Sequence, residues 1–265
     1  MKLEIVKKEP PGKRRPFPLL FIHGMFHGAW CWEENFFPFF TNQGFVCYAL
    51  SLRGHGKSEG KEKVWRTSIN DYLEDIHFVV TQIMNETGCS PVLIGHSMGG
   101  SLVQLYLSKH NATGCALLAS GPPWGWLPLT INVIRRNPLN FLMINLRLSM
   151  YVFIKTPKQF REVFFGVISE EKLMAYHKLT CEDSYLAFIQ LIAWKLPKIS
   201  KIKAPVLVLG GEMDRIFSVA STQGTARAYG TDPIIFEGIG HELMVEDRWK
   251  DVAECMLNWF NQNGW

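Results

Sequence analysis

Gly95-His96-Ser97-Met98-Gly99 is the stretch that decides how this chain folds. It follows the apolar run Pro91-Val92-Leu93-Ile94 and precedes a helical pattern that begins near Gly100. Gly-x-Ser-x-Gly between a strand and a helix is typical of a sharp turn that holds the serine hydroxyl clear of the backbone. Glycine is needed on both sides because a Cβ atom there would collide with the neighbouring strand or helix. The stretch therefore predicts a nucleophilic Ser97.

Around this turn, short apolar and β-branched runs alternate with longer runs of helical period. This alternation predicts an α/β fold with a mostly parallel twisted sheet and helices on both faces. The predicted strands are Leu3–Val6, Leu19–Ile22, Phe45–Leu50, Val92–Gly95, Ala116–Ala119, Val206–Leu209 and Ile234–Phe236. The clearest helix follows Ser68, a suitable N-cap, and ends at Gly88. Further predicted helices are Trp32–Thr41, Met98–Ser108, Val219–Tyr229 and Trp249–Asn261.

The alternation stops after Ser120, and strand signals return only at Pro205. The residues between are helical in pattern, rich in apolar side chains and cationic in balance. We therefore predict an α/β core of residues 1–121 and 198–265 with an inserted helical cap of residues 122–197. Within it, Phe141–Ile154 is apolar nearly all round, so one of its surfaces is expected to face the sheet, an acyl chain, a partner or a membrane.

Composition excludes several classes of protein. The 265 residues are 47% hydrophobic and 20% charged, which is typical of a globular chain. A net charge of +4 is too weak to indicate a nucleic-acid partner. The sequence shows no signal peptide, no transmembrane segment and no metal-ligand spacing. Six scattered cysteines without a Cys-x-x-Cys pair favour reduced thiols and a cytoplasmic location.

A serine nucleophile needs a base to take its proton and an acid to orient that base. In this topology the acid and the histidine follow in that order, after later strands. The sixth predicted strand leads into Asp214, and the seventh leads into His241. We therefore expect Asp214 and His241 to lie at the same sheet edge as Ser97. Glu212 lies on the same loop as Asp214 and is the alternative acid.

Two backbone N–H groups are expected to form an oxyanion hole for the reaction intermediate. One belongs to Met98, the residue after the nucleophile. The other is expected in the loop after the second strand, His23-Gly24-Met25-Phe26-His27-Gly28. Gly24 lets this loop turn, which favours the N–H of Met25 as the second donor, with Phe26 as the alternative.

In these motifs the chain resembles α/β-hydrolases of the lid-bearing esterase and lipase type. The resemblance covers the whole chain except the cap. Gly54-His55-Gly56-Lys57-Ser58-Glu59-Gly60 is similar to a loop of monoacylglycerol lipases and lysophospholipase-like hydrolases. The loop His23–Trp30 is more similar to that of plant methylesterases and hydroxynitrile lyases. The two similarities indicate different substrates, so neither decides between them.

The resemblance implies a cofactor-free serine hydrolase that cleaves a carboxylic ester or thioester with an apolar acyl group. Carbon–carbon bond hydrolysis of the meta-cleavage type or a lyase reaction with the same residues is the alternative, and a non-enzymatic receptor is a third hypothesis. The expected partner is a small-molecule acyl substrate, with transient lipid contact through the cap. Five side chains are predicted to line the pocket: Phe26, Trp124, Trp126, Phe141 and Tyr151.

Overall fold

A computed structural model describes residues 1–265, with seven strands in a single sheet. The strands are β1 (Glu4–Lys8), β2 (Leu19–Ile22), β3 (Cys47–Ser51), β4 (Val92–His96), β5 (Gly114–Leu118), β6 (Val206–Gly211) and β7 (Pro233–Phe236). Their order across the sheet is β1-β3-β2-β4-β5-β6-β7. Only β1 runs antiparallel to its neighbour, so the predicted mostly parallel sheet is confirmed.

Eleven α-helices connect or follow these strands. They are α1 (Trp30–Glu33), α2 (Phe36–Asn42), α3 (Ile69–Thr87), α4 (Met98–Leu107), α5 (Leu127–Arg136), α6 (Pro138–Arg147), α7 (Pro157–Phe164), α8 (Glu170–Leu179), α9 (Tyr185–Ala193), α10 (Val219–Ala228) and α11 (Trp249–Gln262). Short 3-10 segments occur at Lys61–Arg66, Met150–Phe153 and Ile199–Lys201. No helix combines the length and the apolar character needed to cross a bilayer.

The predicted helix Trp32–Thr41 was wrong in one respect, because the chain forms two helices, α1 and α2, in its place. Pro38 explains the interruption. Proline has no N–H to donate to the carbonyl of Glu34, and its ring would clash with that carbonyl in a continuous helix. Asn35 lies at the break, where its buried side chain donates to the carbonyl of Met244 at 2.9 Å.

The predicted ends of α3 are confirmed. Ser68 accepts a hydrogen bond from the backbone of Asp71, and the Asp71 side chain accepts one from the backbone of Ser68. This reciprocal capping box satisfies two N–H groups that a helix start leaves free. At the other end, Gly88 has φ +73°, the left-handed conformation that glycine adopts without strain.

The direction of each crossover places the helices on two faces of the sheet. The step from β2 to β3 runs opposite to the steps from β3 through β7, and right-handed crossovers therefore place α1 and α2 on the opposite face from α3, α4 and α10. Aromatic packing joins α2 to α11, with ring centroids of Phe36 and Trp249 6.5 Å apart and those of Phe40 and Phe260 5.7 Å apart. Strands β2 to β5 are buried along their whole length.

Helices α5 to α9 lie between β5 and β6 in the chain, within residues 122–197, which we call the cap segment. Phe160 packs against His27 and Phe164 against His241, with ring centroids 6.3 and 5.6 Å apart, so this segment contacts the loops after β2 and β7 through buried aromatic side chains. In contrast, α5 and α6 expose several leucine and isoleucine side chains.

Gly99→Ala should strongly destabilise the fold. A Cβ atom at position 99 would lie 2.3 Å from the carbonyl oxygen of Ile22 and 2.5 Å from that of His23. Backbone atoms of a buried strand cannot move aside cheaply, so we expect a loss of about 3 kcal/mol or more in unfolding free energy. Denaturant unfolding measures this loss. Gly12→Ala, where a Cβ atom meets nothing within 4 Å, is the control and should be neutral.

Candidate active site

Ser97 lies between the end of β4 and the start of α4 in a strained backbone conformation. Its φ is 52° and its ψ is −116°, a combination that side chains other than glycine rarely adopt. The flanking glycines make this turn fit. A Cβ atom at Gly95 would lie 2.6 Å from the carbonyl oxygen of Gly99. The strain and the close packing leave Ser97 at the wall of a cavity.

The loop that follows β2 approaches Ser97 closely through Gly24. A Cβ atom at Gly24 would lie 2.8 Å from both the Nδ1 atom of His96 and the Cβ atom of Ser97. The next N–H group, that of Met25, makes no hydrogen bond within the protein. Met98 is the first residue of α4, a position whose N–H has no intrahelical acceptor. The two predicted oxyanion donors are thus free to bind a ligand.

Phe26, the alternative donor, is already occupied. Its N–H donates to the Oδ2 atom of Asp183 at 2.7 Å. Phe26 also has φ 68°, so its backbone is strained in the left-handed region. The carbonyl of Met25, in the same peptide unit as this N–H, accepts a hydrogen bond from the Nδ1 atom of His27 at 2.6 Å. Both ends of this peptide unit are therefore held by buried side chains.

Asp214 and His241 meet as their positions after β6 and β7 predict. The Oδ2 atom of Asp214 accepts from the Nδ1 atom of His241 at 2.8 Å. The Oδ1 atom accepts from the backbone of Ile216 and Phe217 at 2.7 and 3.0 Å. Because Nδ1 donates, Nε2 of His241 carries a lone pair and can accept a proton. The alternative acid, Glu212, instead accepts from the backbone of Gly238.

The hydrogen bond between Ser97 and His241 is not formed in this structure. The Nε2 atom of His241 is buried and has no hydrogen-bond partner. The rings of Phe164 and Phe217 flank the imidazole, with centroids 5.6 and 5.9 Å away. In unliganded hydrolases such bonds are often long and shorten when substrate binds.

The other histidines of this region are buried and structural. Desolvation holds the pKa of His23 and of His96 well below the usual histidine range, so both are neutral at physiological pH. His23 accepts from the backbone of Leu52 at 3.0 Å. His96 donates to the carbonyl of His241 at 3.0 Å. These bonds attach His23 to the residue after β3 and His96 to the loop of His241.

Asp183 is a residue of the site that sequence reasoning missed. It belongs to the cap segment, is fully buried, and its Oδ2 atom lies 3.0 Å from the Nε2 atom of His55. Burial opposes protonation of His55, but the attraction of Asp183 outweighs it and raises the pKa of the imidazole. A fully buried carboxylate between His55 and the N–H of Phe26 links the cap segment to the loop after β2. No sequence signal marked it, because its partners are distant along the chain.

A cavity of about 350 Å³ opens at Ser97. Its apolar wall is buried, whereas its polar rim is partly exposed and includes residues of α5, α6 and α7. The apolar wall contains Met25, Phe26, Trp126, Phe164 and Phe188. The polar rim contains Asn132, Arg136, Asn137, Asn140, Gln159 and Glu162. A volume of this size and an apolar interior are typical of sites that bind small organic molecules.

Two of the five predicted pocket side chains line this cavity, namely Phe26 and Trp126. The other three lie elsewhere. Trp124 is 45% exposed and packs over Gly224 of α10. The hydroxyl of Tyr151 lies 3.1 Å from Oγ1 of Thr180. Phe141 is half-buried on α6 outside the cavity wall. Position within the cap segment did not reveal which side of each helix faces the cavity.

The fold and this arrangement of serine, histidine and aspartate are those of an α/β-hydrolase. The chain belongs to the Hydrolase_4 family (serine aminopeptidase, S33), whose model matches residues 18–248. It is 26% identical to a monoacylglycerol lipase of Mycolicibacterium smegmatis over 83% of this chain and 79% of that one. It is 31% identical to methyl jasmonate esterase 1 of Vitis vinifera, but over only 37% of this chain and 36% of that one.

Among solved structures, the chain is similar to a monoacylglycerol lipase of Paleococcus ferrophilus. The TM-score is 0.73 at 20% identity, and the superposition covers 99% of this chain and 100% of that one. At this identity the likeness shows the fold alone. Together, the family and the relatives establish a hydrolase of the α/β class that is lipase- or esterase-like.

Asp214→Asn should lower kcat by about 10⁴-fold, because an amide at this position favours the wrong tautomer of His241. Glu212→Gln is the matched control on the same loop. Since Glu212 contacts only the backbone of Gly238, this variant should retain kcat within about twofold. Steady-state kinetics on a p-nitrophenyl ester measures both. Equal losses in the two variants would contradict the assignment of the acid.

Proposed function

We propose that this protein is a serine hydrolase that cleaves a carboxylic ester or thioester with an apolar acyl group through an acyl-enzyme intermediate. One observation carries the proposal. The strained Ser97 lies at the wall of an apolar cavity beside the free N–H of Met25, at the sheet edge where Asp214 orients His241. Each part of an acyl-transfer site is therefore present at one place.

In the first half of the reaction, the Oγ atom of Ser97 attacks the carbonyl carbon of the ester. The Nε2 atom of His241 takes the hydroxyl proton, and Asp214 stabilises the resulting imidazolium through its hydrogen bond to Nδ1. The negative charge that forms on the carbonyl oxygen is held by the N–H groups of Met25 and Met98. The imidazolium then gives its proton to the leaving alcohol or thiol, and the acyl group stays on Ser97.

In the second half, a water molecule attacks the acyl-enzyme. His241 now accepts a proton from the water and returns one to the Oγ atom of Ser97 as the acid leaves. The sequence of steps needs no cofactor. It requires a hydrogen bond between Ser97 and the Nε2 atom of His241, which has no partner in this structure.

The cavity indicates which part of the substrate lies where. Buried apolar side chains, among them Phe26 and Phe164, form one part of the wall, and an apolar acyl group would be desolvated against them. Amide side chains and Arg136 at the rim offer hydrogen bonds to a polar group. An ester with one apolar and one polar part fits this gradient, and a monoacylglycerol, the substrate named for two of the similar proteins, is the first candidate.

The comparisons do not favour carbon–carbon bond hydrolysis or a lyase reaction, because a monoacylglycerol lipase is similar in sequence over 83% of this chain. A receptor without activity would not need a strained serine. The backbone conformation of Ser97 costs about 1–3 kcal/mol. Such strain is expected at a residue whose position the chemistry depends on.

Ser97→Ala should lower kcat by about 10⁵–10⁶-fold, because the triad acts as a unit. The measurement is hydrolysis of p-nitrophenyl esters, acyl-CoA thioesters and monoacylglycerols of increasing acyl length. A Ser97-dependent optimum at one chain length is the expected result, because the cavity has a finite apolar volume.

The same panel separates the alternatives. Turnover that survives in the Ser97→Ala protein would contradict a serine mechanism. If the folded wild-type protein turns over no ester or thioester, the proposal fails, and a meta-cleavage product would be assayed in its place.

We further propose that α5 and α6 rest on an anionic lipid surface. These helices expose six large aliphatic side chains: Leu127, Ile131, Ile134, Leu139, Leu142 and Leu146. Residues 121–161 contain six lysines and arginines and no aspartate or glutamate. An exposed apolar face on helices whose own charged side chains are all cationic is typical of helices that lie in a membrane interface. Part of the polar rim of the cavity, including Asn132, Arg136 and Asn140, belongs to the same two helices.

The double variant Leu139→Ser, Leu146→Ser should bind vesicles containing phosphatidylglycerol at least about tenfold more weakly than wild type, because two inserted side chains are lost. Co-sedimentation measures the binding. The matched control is Phe78→Ser, Met84→Ser, which removes two exposed apolar side chains from α3. If wild type binds phosphatidylcholine vesicles as tightly as vesicles containing phosphatidylglycerol, the surface is not selective for anionic lipid and the proposal is contradicted. Equal losses of binding in the two double variants would also contradict it.

A further inference from the structure

Glu242 follows His241 directly and has no role in the steps described above. Its side chain is fully buried, and neither carboxylate oxygen has a hydrogen-bond partner. An isolated buried carboxylate is costly, since water no longer stabilises its charge. The position of Glu242 in the fold therefore requires an explanation from its neighbours.

The nearest polar neighbours of Glu242 offer lone pairs rather than N–H groups. The Nε2 atom of His27 lies 3.4 Å from its Oε2 atom. Because the Nδ1 atom of His27 donates to the carbonyl of Met25, the neutral ring leaves Nε2 without a proton. His96 is in the same state, since its Nε2 atom donates to the carbonyl of His241 and its Nδ1 atom has no partner.

These lone pairs converge on one small buried region. Ligating atoms of His96, His241 and Glu242 all lie within 4.8 Å of one another. An ionised Glu242 would place a negative charge among nitrogen lone pairs, and every contact would be repulsive. A protonated Glu242 would instead supply the one donor that this cluster lacks. The geometry of the cluster thus favours a carboxyl group over a carboxylate.

We propose that Glu242 is a positioning residue that keeps its proton in the folded protein and donates it to the Nε2 atom of His27. His27 then donates from its Nδ1 atom to the carbonyl of Met25. A chain of two hydrogen bonds therefore runs from Glu242, on the loop after β7, to Met25, on the loop after β2. The functional part of this inference rests on the proposed role of Met25. Through the chain, Glu242 fixes one end of the strained Met25–Phe26 peptide unit, whose other end is fixed by Asp183.

Burial and the neighbouring charges both favour the protonated form of Glu242. Desolvation, with the nearby Glu246 and Asp214, raises the pKa of Glu242 well above the usual glutamate range. Desolvation also lowers the pKa of His27 to about 4, so the shared proton belongs to the carboxyl group. The titratable groups around Glu242 come from the loop after β2, from α1, from β4, from the loop after β6 and from the loop after β7 that carries Glu242 itself. They are His27, Cys31, His96, Asp214, His241 and Glu246.

Glu246, four residues later on the same loop, shows the opposite surroundings. Its two oxygens accept hydrogen bonds from the backbone of Gly240 at 2.9 and 3.0 Å. They also accept from the backbone of Gly166 and Val167 at 3.3 and 3.4 Å. A side chain surrounded by N–H donors must be an acceptor. Glu246→Gln is therefore the matched control for Glu242→Gln. Glutamine can replace a protonated glutamate, but it cannot replace a glutamate that accepts hydrogen bonds at both oxygens.

The proton on Glu242 gives a defined pH dependence of stability. An acid with a raised pKa in the folded state contributes most below its unfolded pKa, and the contribution is lost as the pH rises toward the folded value. Glu242→Gln has no proton to lose. Its stability relative to wild type should therefore increase as the pH rises above about 4.5. Glu246→Gln should lower the melting temperature at neutral pH, since its amide would face the N–H of Gly240.

Two measurements test the proposal. Infrared difference spectroscopy of wild type against Glu242→Gln should show a protonated-carboxyl carbonyl band at neutral pH that the variant lacks. Ester hydrolysis should show kcat about 10–100-fold lower in Glu242→Met, which keeps the volume but cannot donate, with KM unchanged. Glu242→Gln should restore kcat to near the wild-type value, because its amide can still donate to His27.

The outcomes are distinguishable. If the infrared band is absent and the stability difference does not change with pH, the proton is not on Glu242 and the proposal is overturned. If the band is present but Glu242→Met has wild-type kcat, the positioning role is overturned. Should the protein hydrolyse no ester, the proposed function fails, while the infrared and stability measurements still decide the state of Glu242.

Discussion

The close approach between the loop after β2 and the turn after β4 is the constraint on which the site depends. These strands are neighbours, with Ile22 opposite Gly95 in the register, so their carboxyl ends reach the sheet edge together. The contact is possible only because no side chain intervenes at Gly24 or Gly99. The proposed role of the Met25 and Met98 N–H groups depends on this contact. The remaining parts, Asp214 and His241, follow from the order of β5, β6 and β7 across the sheet.

A second consequence of this close packing is that the polar groups of the site are almost without water. Neutral histidines are the least costly hydrogen-bonding groups in such a place, and burial lowers the pKa values of His23, His27 and His96 accordingly. Each is fixed in one tautomer by a backbone partner, so its donor and acceptor sides are known. Where charge is buried, a partner offsets the cost of burial, as in the pair of Asp183 with His55.

The sequence was sufficient for features that depend on local pattern and chain order. All seven strands and the turn at Ser97 were predicted, because alternation and glycine spacing are local signals. The break between α1 and α2 was missed, although Pro38 was a usable signal. Features that depend on tertiary packing were not predictable. Asp183 meets His55 across 128 residues, and Tyr151 turns away from the cavity to contact Thr180.

The cap segment is attached to the core on both sides of the reacting centre. On one side, the backbone N–H of Cys181 donates to the carbonyl of Phe26 at 3.0 Å. This bond lies next to the contact between Asp183 and Phe26. On the other side, the backbone of His241 donates to the carbonyl of Phe164 at 2.8 Å. These attachments hold the loop after β2, which contains Met25, and the loop after β7, which contains His241, in place. Because α5 and α6 lie outside both attachments and contribute the cavity rim, we expect them to determine which substrate binds without altering the geometry of the chemistry.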